Sequence, residues 1–455
     1  MRSVRTIFSI GLFCVAVVIY LQFKYTSLSI RIYREENEEA IRAQFRNMRM
    51  NSDKINERVP KKSEDFETNK LVYQSPAPRL IPIQVDDLRL FVYSAVIHKR
   101  TTTSQTLDVR IQALNGEPNQ PTFQCCFHLA DKTISNVNAS IVFGFPYGVF
   151  KSSIYKCLLP YPGKEILSVS IQKTCENTTA MGLQLYKPER PEGLLSVCVH
   201  AVYGYIDPMI VIQWMEILWL QGIRSVYIYP LMSINNIDRR TLEVFKFYEK
   251  RGLVRLIPYE LAVFEPEMMY ERFKSRDGQM YSDEILPIYD CMMRSSDYTF
   301  TAVLDFDEII VPKKGPLDLI PMLNHEYQHD EHAAAFVFRI ENFILNWTKS
   351  NETNLHFMQY VKRTLALQDQ SKIVYVQGRY KTVNMHTTEA LRGFGVVFLP
   401  SKKAAVHHYT ACRPAWRQSS CLSETNRHQD RAMMAIETLL LERLKTVPDE
   451  LRFGK

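Results

Sequence analysis

Residues 298–312 read YTFTAVLDFDEIIVP. Thr299, Thr301, Val303 and Leu304 fit a buried strand, where β-branched and apolar side chains pack well. The strand runs straight into three carboxylates, Asp305, Asp307 and Glu308, and a second apolar run continues to Pro312. Open α/β sheets place their ligands at the carboxyl ends of strands. Carboxylates at i and i+2 leave an extended chain on one side. Asp305 and Asp307 can then share one hard cation and, through it, a diphosphate. The bland alternative is an acidic turn facing solvent.

N-terminal to this stretch, strand and helix patterns alternate. LLSVCVHAVYG (194–204) is strand-like. Asp207-Pro208 supplies a cap and first residue for a helix that Gly222 ends. IRSVYIYPL is a strand, IDRRTLEVFKFYEKRG a helix to Gly252, LVRLIPY a strand, and SDEILPIYDCMMRSS a helix interrupted at Pro287. The alternation predicts an α/β fold: a mainly parallel sheet with flanking helices and right-handed crossovers. C-terminally, AAAFVFRIENFI reads as a further strand, KKAAV as one leading into His407 and His408, and RAMMAIETLLLERLK as an amphipathic helix.

Ahead of the α/β part, short β-like runs between residues 81 and 190 are separated by Asn, Gly, Pro and Asp clusters, which predicts a smaller β-rich subdomain. Residues 7–23 (IFSIGLFCVAVVIYLQF) form an apolar run with no convincing cleavage site after it. They read as a transmembrane signal-anchor behind a cytosolic tail of residues 1–6. Residues 24–80 are charged and Pro-punctuated, a stem. The α/β domain is expected over 191–425 and the C-terminal helix within 426–455. The 455 residues, 46% hydrophobic and 23% charged, support a large core, and a net charge of +7 without a basic block gives no nucleic-acid signature.

Beyond Cys14, eight scattered cysteines with no CxxC pair point to disulfides rather than zinc. Asn138, Asn177, Asn346 and Asn351 each begin a glycosylation sequon. With the anchor, these features point to a glycosylated lumenal protein.

Five stretches in this order, FVYSAVIHKR (91–100), WMEILWLQGIRSVYIY (214–229), the Cys291 helix, LDFDEIIVP (304–312) and VHHYTACR (406–413), resemble glycosyltransferase family 92. The resemblance spans roughly residues 88 to 413. It implies a GT-A-like fold and a type II Golgi membrane enzyme with a lumenal catalytic domain. It also implies inverting transfer of galactose from UDP-galactose to a glycan acceptor on glycoprotein or glycolipid, with Mn²⁺. The chain departs from the family's pattern at Pro230, at Glu216-Ile-Leu and at Thr410 after His408-Tyr409.

By that resemblance Asp307 is a direct metal ligand, with Asp305 beside it toward the ribose or a metal-bound water. Glu308 is expected to hydrogen-bond within the turn. His407 or His408 is the leading imidazole ligand and His386 the runner-up; strand alternation turns the first two to opposite faces. Glu341 and Glu389 are candidates for the catalytic base on position alone. Lys372, Arg379 and Lys381 surround a strand-like IVYVQGRY, either on the surface or against the diphosphate. Trp214 and Trp219 read as core. Trp347 and Trp416, if exposed, are candidate sugar platforms. The competing readings are a non-catalytic glycan-binding protein on the same fold and, last, a metal-dependent hydrolase.

Overall fold

The computed structural model describes residues 79–453 except 100–106, 118–121, 146–147, 160–164, 177–181, 189–190, 192, 233–236, 263–278, 368–369 and 413–426. The expected anchor and stem (7–23 and nearly all of 24–80), Asn177 and Trp416 lie outside the described residues. No helix among those described is long and apolar enough to cross a membrane.

Residues 69–455 form one compact unit. In its β-rich part, antiparallel strands Leu90–Lys99, Leu107–Asn115, Lys151–Leu158 and Ser140–Gly144 pair in that order. A three-stranded sheet of Ile134–Asn138, Gln124–Leu129 and Ile166–Gln172 accompanies it. Val109, Ile111, Phe127 and Val169 belong to one buried core, and the Cys125–Cys157 bond joins a strand of each sheet. A second disulfide, Cys126–Cys175, lies close by. Tyr93, Val96, Leu114 and Ile154 instead join a cluster with Leu286 and Tyr289 of the α/β part. The larger sheet therefore buries residues on both faces.

The α/β part is built on nine strands: β1 (Leu195–Val202), β2 (Ser225–Pro230), β3 (Val254–Leu256), β4 (Phe300–Val303), β5 (Glu308–Pro312), β6 (Ala333–Ile344), β7 (Ser371–Val376), β8 (Gly395–Phe398) and β9 (Ala404–Thr410). Their order is β3–β2–β1–β4–β7–β6–β9–β5, with β8 beside β6. Two strands depart from the common direction of this sheet. β3, β2, β1 and β4 run parallel, whereas β7 is antiparallel to both β4 and β6, and β5 is antiparallel to β9. Since β6 is parallel to both β8 and β9, seven of the nine strands run the same way, and the sheet is mainly parallel as expected, with β5 and β7 reversed. Strand–helix alternation stops after β4, so crossovers no longer dictate strand direction.

The helices that matter are α1 (Pro208–Leu220), α2 (Arg239–Lys250), α3 (Gln279–Arg294), α4 (Leu319–His329) and α5 (Glu437–Leu444). Asp207 caps α1 through a bond from the Met209 amide to its carboxylate, with Pro208 in the first turn. Pro287 does not interrupt α3, which continues through it. A proline there withholds the usual hydrogen bond from the carbonyl of Asp283. Tyr259 Oη donates to that carbonyl at 3.0 Å in its place. The Cys198–Cys291 disulfide fastens α3 to β1.

Candidate active site

The turn after β4 is fixed from beneath. Phe306, between the two aspartates, is buried against Trp214 and Phe245 at centroid distances of 5.1 and 5.6 Å. Trp214 Nε1 donates to the Glu308 carbonyl at 2.7 Å, and the Tyr409 amide donates to the Asp307 carbonyl at 2.8 Å. With Phe306 turned inward, Asp305 and Asp307 keep side-chain exposures of 41% and 39%. Glu308 is buried, and its Oε2 accepts from the Asp305 amide at 3.0 Å.

The two aspartates have different partners. Lys372, on β7 and only 1% exposed, places Nζ 2.9 Å from Asp305 Oδ2 and 2.8 Å from Glu308 Oε2. On the other side, His200 Nδ1 lies 3.5 Å from Asp305 Oδ1. Burial alone would raise the Asp305 carboxyl, but Lys372 and then His200 outweigh it and hold it below the usual carboxylate range. Burial pushes Glu308 up to about 7 against the pull of Lys372. Burial would also lower Lys372, yet the two carboxylates keep it above the ordinary lysine range.

Asp307 faces a histidine instead. His408 Nε2 is 3.4 Å from Asp307 Oδ2, and His408 Nδ1 is 2.9 Å from Asn342 Oδ1. Burial would lower the His408 pKa, but the bond to Asp307 and the charge of Glu308 carry it above its ordinary value. Because an amide oxygen only accepts, the proton on Nδ1 points at Asn342, and Nε2 faces the aspartate. A carboxylate and an imidazole nitrogen aimed at one another, with the far ring nitrogen already bonded, form a donor set suited to a divalent cation.

The remaining sequence candidates separate. His407 points away from Asp307, as alternation requires. Its ring is fully buried, 4.5 Å from that of Phe343. Around it, Lys313 Nζ contacts Glu341 Oε2 at 2.7 Å and Asp430 Oδ2 at 3.0 Å. Arg363 contacts the same two carboxylates at 3.2 and 2.8 Å. The carboxylate and imidazole atoms of Glu341, His407 and Asp430 lie close enough together to hold a metal ion. Two cationic side chains already neutralise the two carboxylates there. The structure thus engages Glu341 and His407 in a closed ion cluster and does not bring them to Asp305. Glu389 is exposed on the Tyr380–Val383/Thr388–Ala390 hairpin, paired with Lys381 at 2.8 Å. His386 is held by the Ser371 carbonyl at 2.8 Å, close enough to Lys372, Asp305 and His408 to feel their charge. Arg379 bonds Tyr327 and the carbonyls of Glu331 and Ala333. Trp347 is buried with Arg427 over its ring, so it offers no platform. Asn138, Asn346 and Asn351 are exposed.

Three residues join the site that local pattern did not single out: His200 at the end of β1, Asn342 on β6 and Glu284 on α3. Burial and then the Asp305 charge push the Glu284 carboxyl up to about 7, and Tyr203 Oη donates to it at 3.4 Å. The signal for His200 was positional. β1 and β4 are the neighbours across which strand order reverses, and that reversal is where open sheets open a crevice.

Lys372→Met is expected to lower stability by about 2–3 kcal/mol. That is less than the ~3–5 kcal/mol of a fully closed pair, because Asp305 is partly solvated. Chemical denaturation checks it, and a change under about 0.5 kcal/mol, typical of an exposed surface site, contradicts it.

Comparison with known proteins then decides the family. The profile of glycosyltransferase family 92 matches residues 194–444, more than half of the chain and all of the sheet just described. The chain belongs to glycosyltransferase family 92. It is similar to beta-1,4-galactosyltransferase galt-1 of Caenorhabditis elegans, 27% identical over 172 residues. That match covers 35% of this chain and 37% of the relative, little more than a third of the relative's length. A solved ferredoxin-NADP+ reductase from Plasmodium falciparum with 2'P-AMP matches 48% of this chain and 84% of its own, at 9% identity and a TM-score of 0.12. So low a score carries no structural argument. The matched residues include the turn at the end of β4 and His408 on β9.

Proposed function

We propose that this family-92 protein transfers a sugar, galactose with inversion as the specific reading, from a UDP-sugar to a glycan on glycoprotein or glycolipid. We place it in the Golgi lumen on a type II anchor. One observation carries the donor site: Asp307 and His408 converge at the carboxyl end of the sheet, near the β1–β4 reversal of strand order. The name of the galactosyltransferase relative and the exposed sequons support the sugar and the compartment.

Asp307 and His408 fit a Mn²⁺ ion and would hold it. When bound, the ion supplies Lewis-acid neutralisation of the charge that develops on the leaving diphosphate. The chain's own residues do the rest. Lys372 and His200 hold Asp305 ionised at the end of β4, where its remaining acceptor capacity suits the ribose hydroxyls. Glu284 offers a second carboxyl to hydroxyls of the donor. Phe306 and Trp214 keep the turn rigid, so both aspartates are oriented before the donor arrives.

The test is the melting temperature of the purified full-length chain with UDP, with Mn²⁺ and with both. At a hundredfold excess over the dissociation constant the expected gain is about 2.7 kcal/mol, roughly 3–4 °C for a unit of this size. A rise that requires both ligands supports the proposal. No rise with any uridine nucleotide sinks it in favour of the glycan-binding reading.

A further inference from the structure

Asn342 has no chemistry of its own to offer a sugar transfer, yet it makes a directed contact with the imidazole that faces Asp307. It is buried at 4% exposure, with its Oδ1 2.9 Å from His408 Nδ1. Its main-chain amide and carbonyl are both held by Thr364. The Asn342 amide donates to Thr364 Oγ1 at 3.1 Å, and its carbonyl accepts from the Thr364 amide at 2.9 Å. In the sheet it is registered directly against His408. The backbone therefore sets where the amide oxygen lies, and the amide oxygen sets which ring nitrogen of His408 carries the proton.

We propose that Asn342 is a positioning residue for a divalent cation at Asp307. By accepting the Nδ1 proton it fixes the His408 tautomer whose Nε2 lone pair faces the aspartate. The inference rests on the Mn²⁺ reading above and goes beyond it, since it assigns a role to a residue that acts through His408. A neutral imidazole has one proton and two nitrogens. Without a fixed acceptor at Nδ1, the tautomer with hydrogen on Nε2 would donate to the Asp307 carboxylate 3.4 Å away and close the place where a cation would sit. With the Nδ1 proton held by Asn342, a neutral ring instead turns the Nε2 lone pair toward that place. Partners of this kind, one bond beyond a metal ligand, change metal affinity by about 10- to 100-fold when removed.

The experiment titrates the full-length chain with Mn²⁺ alone, following free ion by its electron paramagnetic resonance signal. Wild type, Asp307→Ala, His408→Ala, Asn342→Leu and Asn342→Asp are compared, each first shown to melt within a few degrees of wild type without metal. Asn342→Leu is expected to weaken Mn²⁺ binding by about 10- to 100-fold, as truncating the ligand's partner should. Asn342→Asp, whose carboxylate accepts the same proton, is expected to bind at least as tightly as wild type. If Asn342→Leu binds like wild type while His408→Ala and Asp307→Ala do not, the inference is overturned and the metal reading stands. If Asn342→Asp is as weak as Asn342→Leu, Asn342 acts only through packing and the inference is again overturned. Equal binding by wild type and Asp307→Ala, or none by either, overturns the metal reading and the inference with it.

Discussion

Asp307→Ala is expected to abolish the rise in melting temperature that UDP and Mn²⁺ produce together. It should also lower sugar transfer by about 10³-fold, equivalent to about 4 kcal/mol at the transition state. The unliganded variant should stay folded within about 1 kcal/mol of wild type, because surface substitutions rarely exceed that. The reasons lie in the turn. Asp307 is 39% exposed, and the bond that fixes its position comes from the Tyr409 amide to its main-chain carbonyl, which alanine retains. What alanine removes is the one carboxylate facing His408. The parallel substitution at Asp305 should behave differently. There the loss also strands Lys372, which is 1% exposed and would keep only Glu308. Asp305→Ala should therefore lose stability as well as activity. A denaturation curve and a transfer assay on both variants separate the two roles. Full transfer by Asp307→Ala would remove this residue from the donor site.

The largest loss of stability is expected away from the site, at Asp290. This side chain has no exposure, and both oxygens are engaged. Oδ1 accepts from Ser94 Oγ at 2.8 Å, and Oδ2 accepts from Tyr229 Oη at 2.8 Å and Arg294 Nε at 2.5 Å. Ser94 belongs to the β-rich part, Tyr229 to β2, and Arg294 to the end of α3, where its guanidinium lies 4.3 Å from the Tyr186 ring centroid. One carboxylate thus ties together both parts of the compact unit. Asp290→Ala strands a buried arginine and should lower the unfolding free energy by about 3–5 kcal/mol. Asp290→Asn keeps hydrogen-bonding atoms but removes the charge and should fall between. A urea midpoint for Asp290→Ala close to that of wild type would show that the network carries no net stability.

The sequence showed the acidic turn, the β1-to-β4 alternation and the opposed faces of His407 and His408, because each is written in local period and in residue type. Lys372 was harder to read. It stands second in a short strand, SKIVYV, whose partner, β4, lies about seventy residues earlier, and only antiparallel pairing across that distance turns it into a buried counter-ion. His200, Asn342 and Asp430 share that difficulty: each acquires its meaning from a contact made far along the chain. The reversal of β5 and β7 was also hidden, since apolar periodicity is the same whichever way a strand runs. Glu341 shows the reverse problem. It stands next to Asn342 in sequence, but one step along a strand places it on the other face, against Lys313 and Arg363.

That one-step geometry makes the alignment of β6 and β9 a proofreading device for chain length. Glu341 lies opposite His407, and Asn342 opposite His408. Sliding β9 by one residue would bring His407 opposite Asn342 and His408 opposite Phe343, turning each histidine to the wrong face at once. A single inserted or deleted residue in the connection at 399–403 therefore has one tolerable outcome: it must be absorbed by the turn, since the strand cannot take it up.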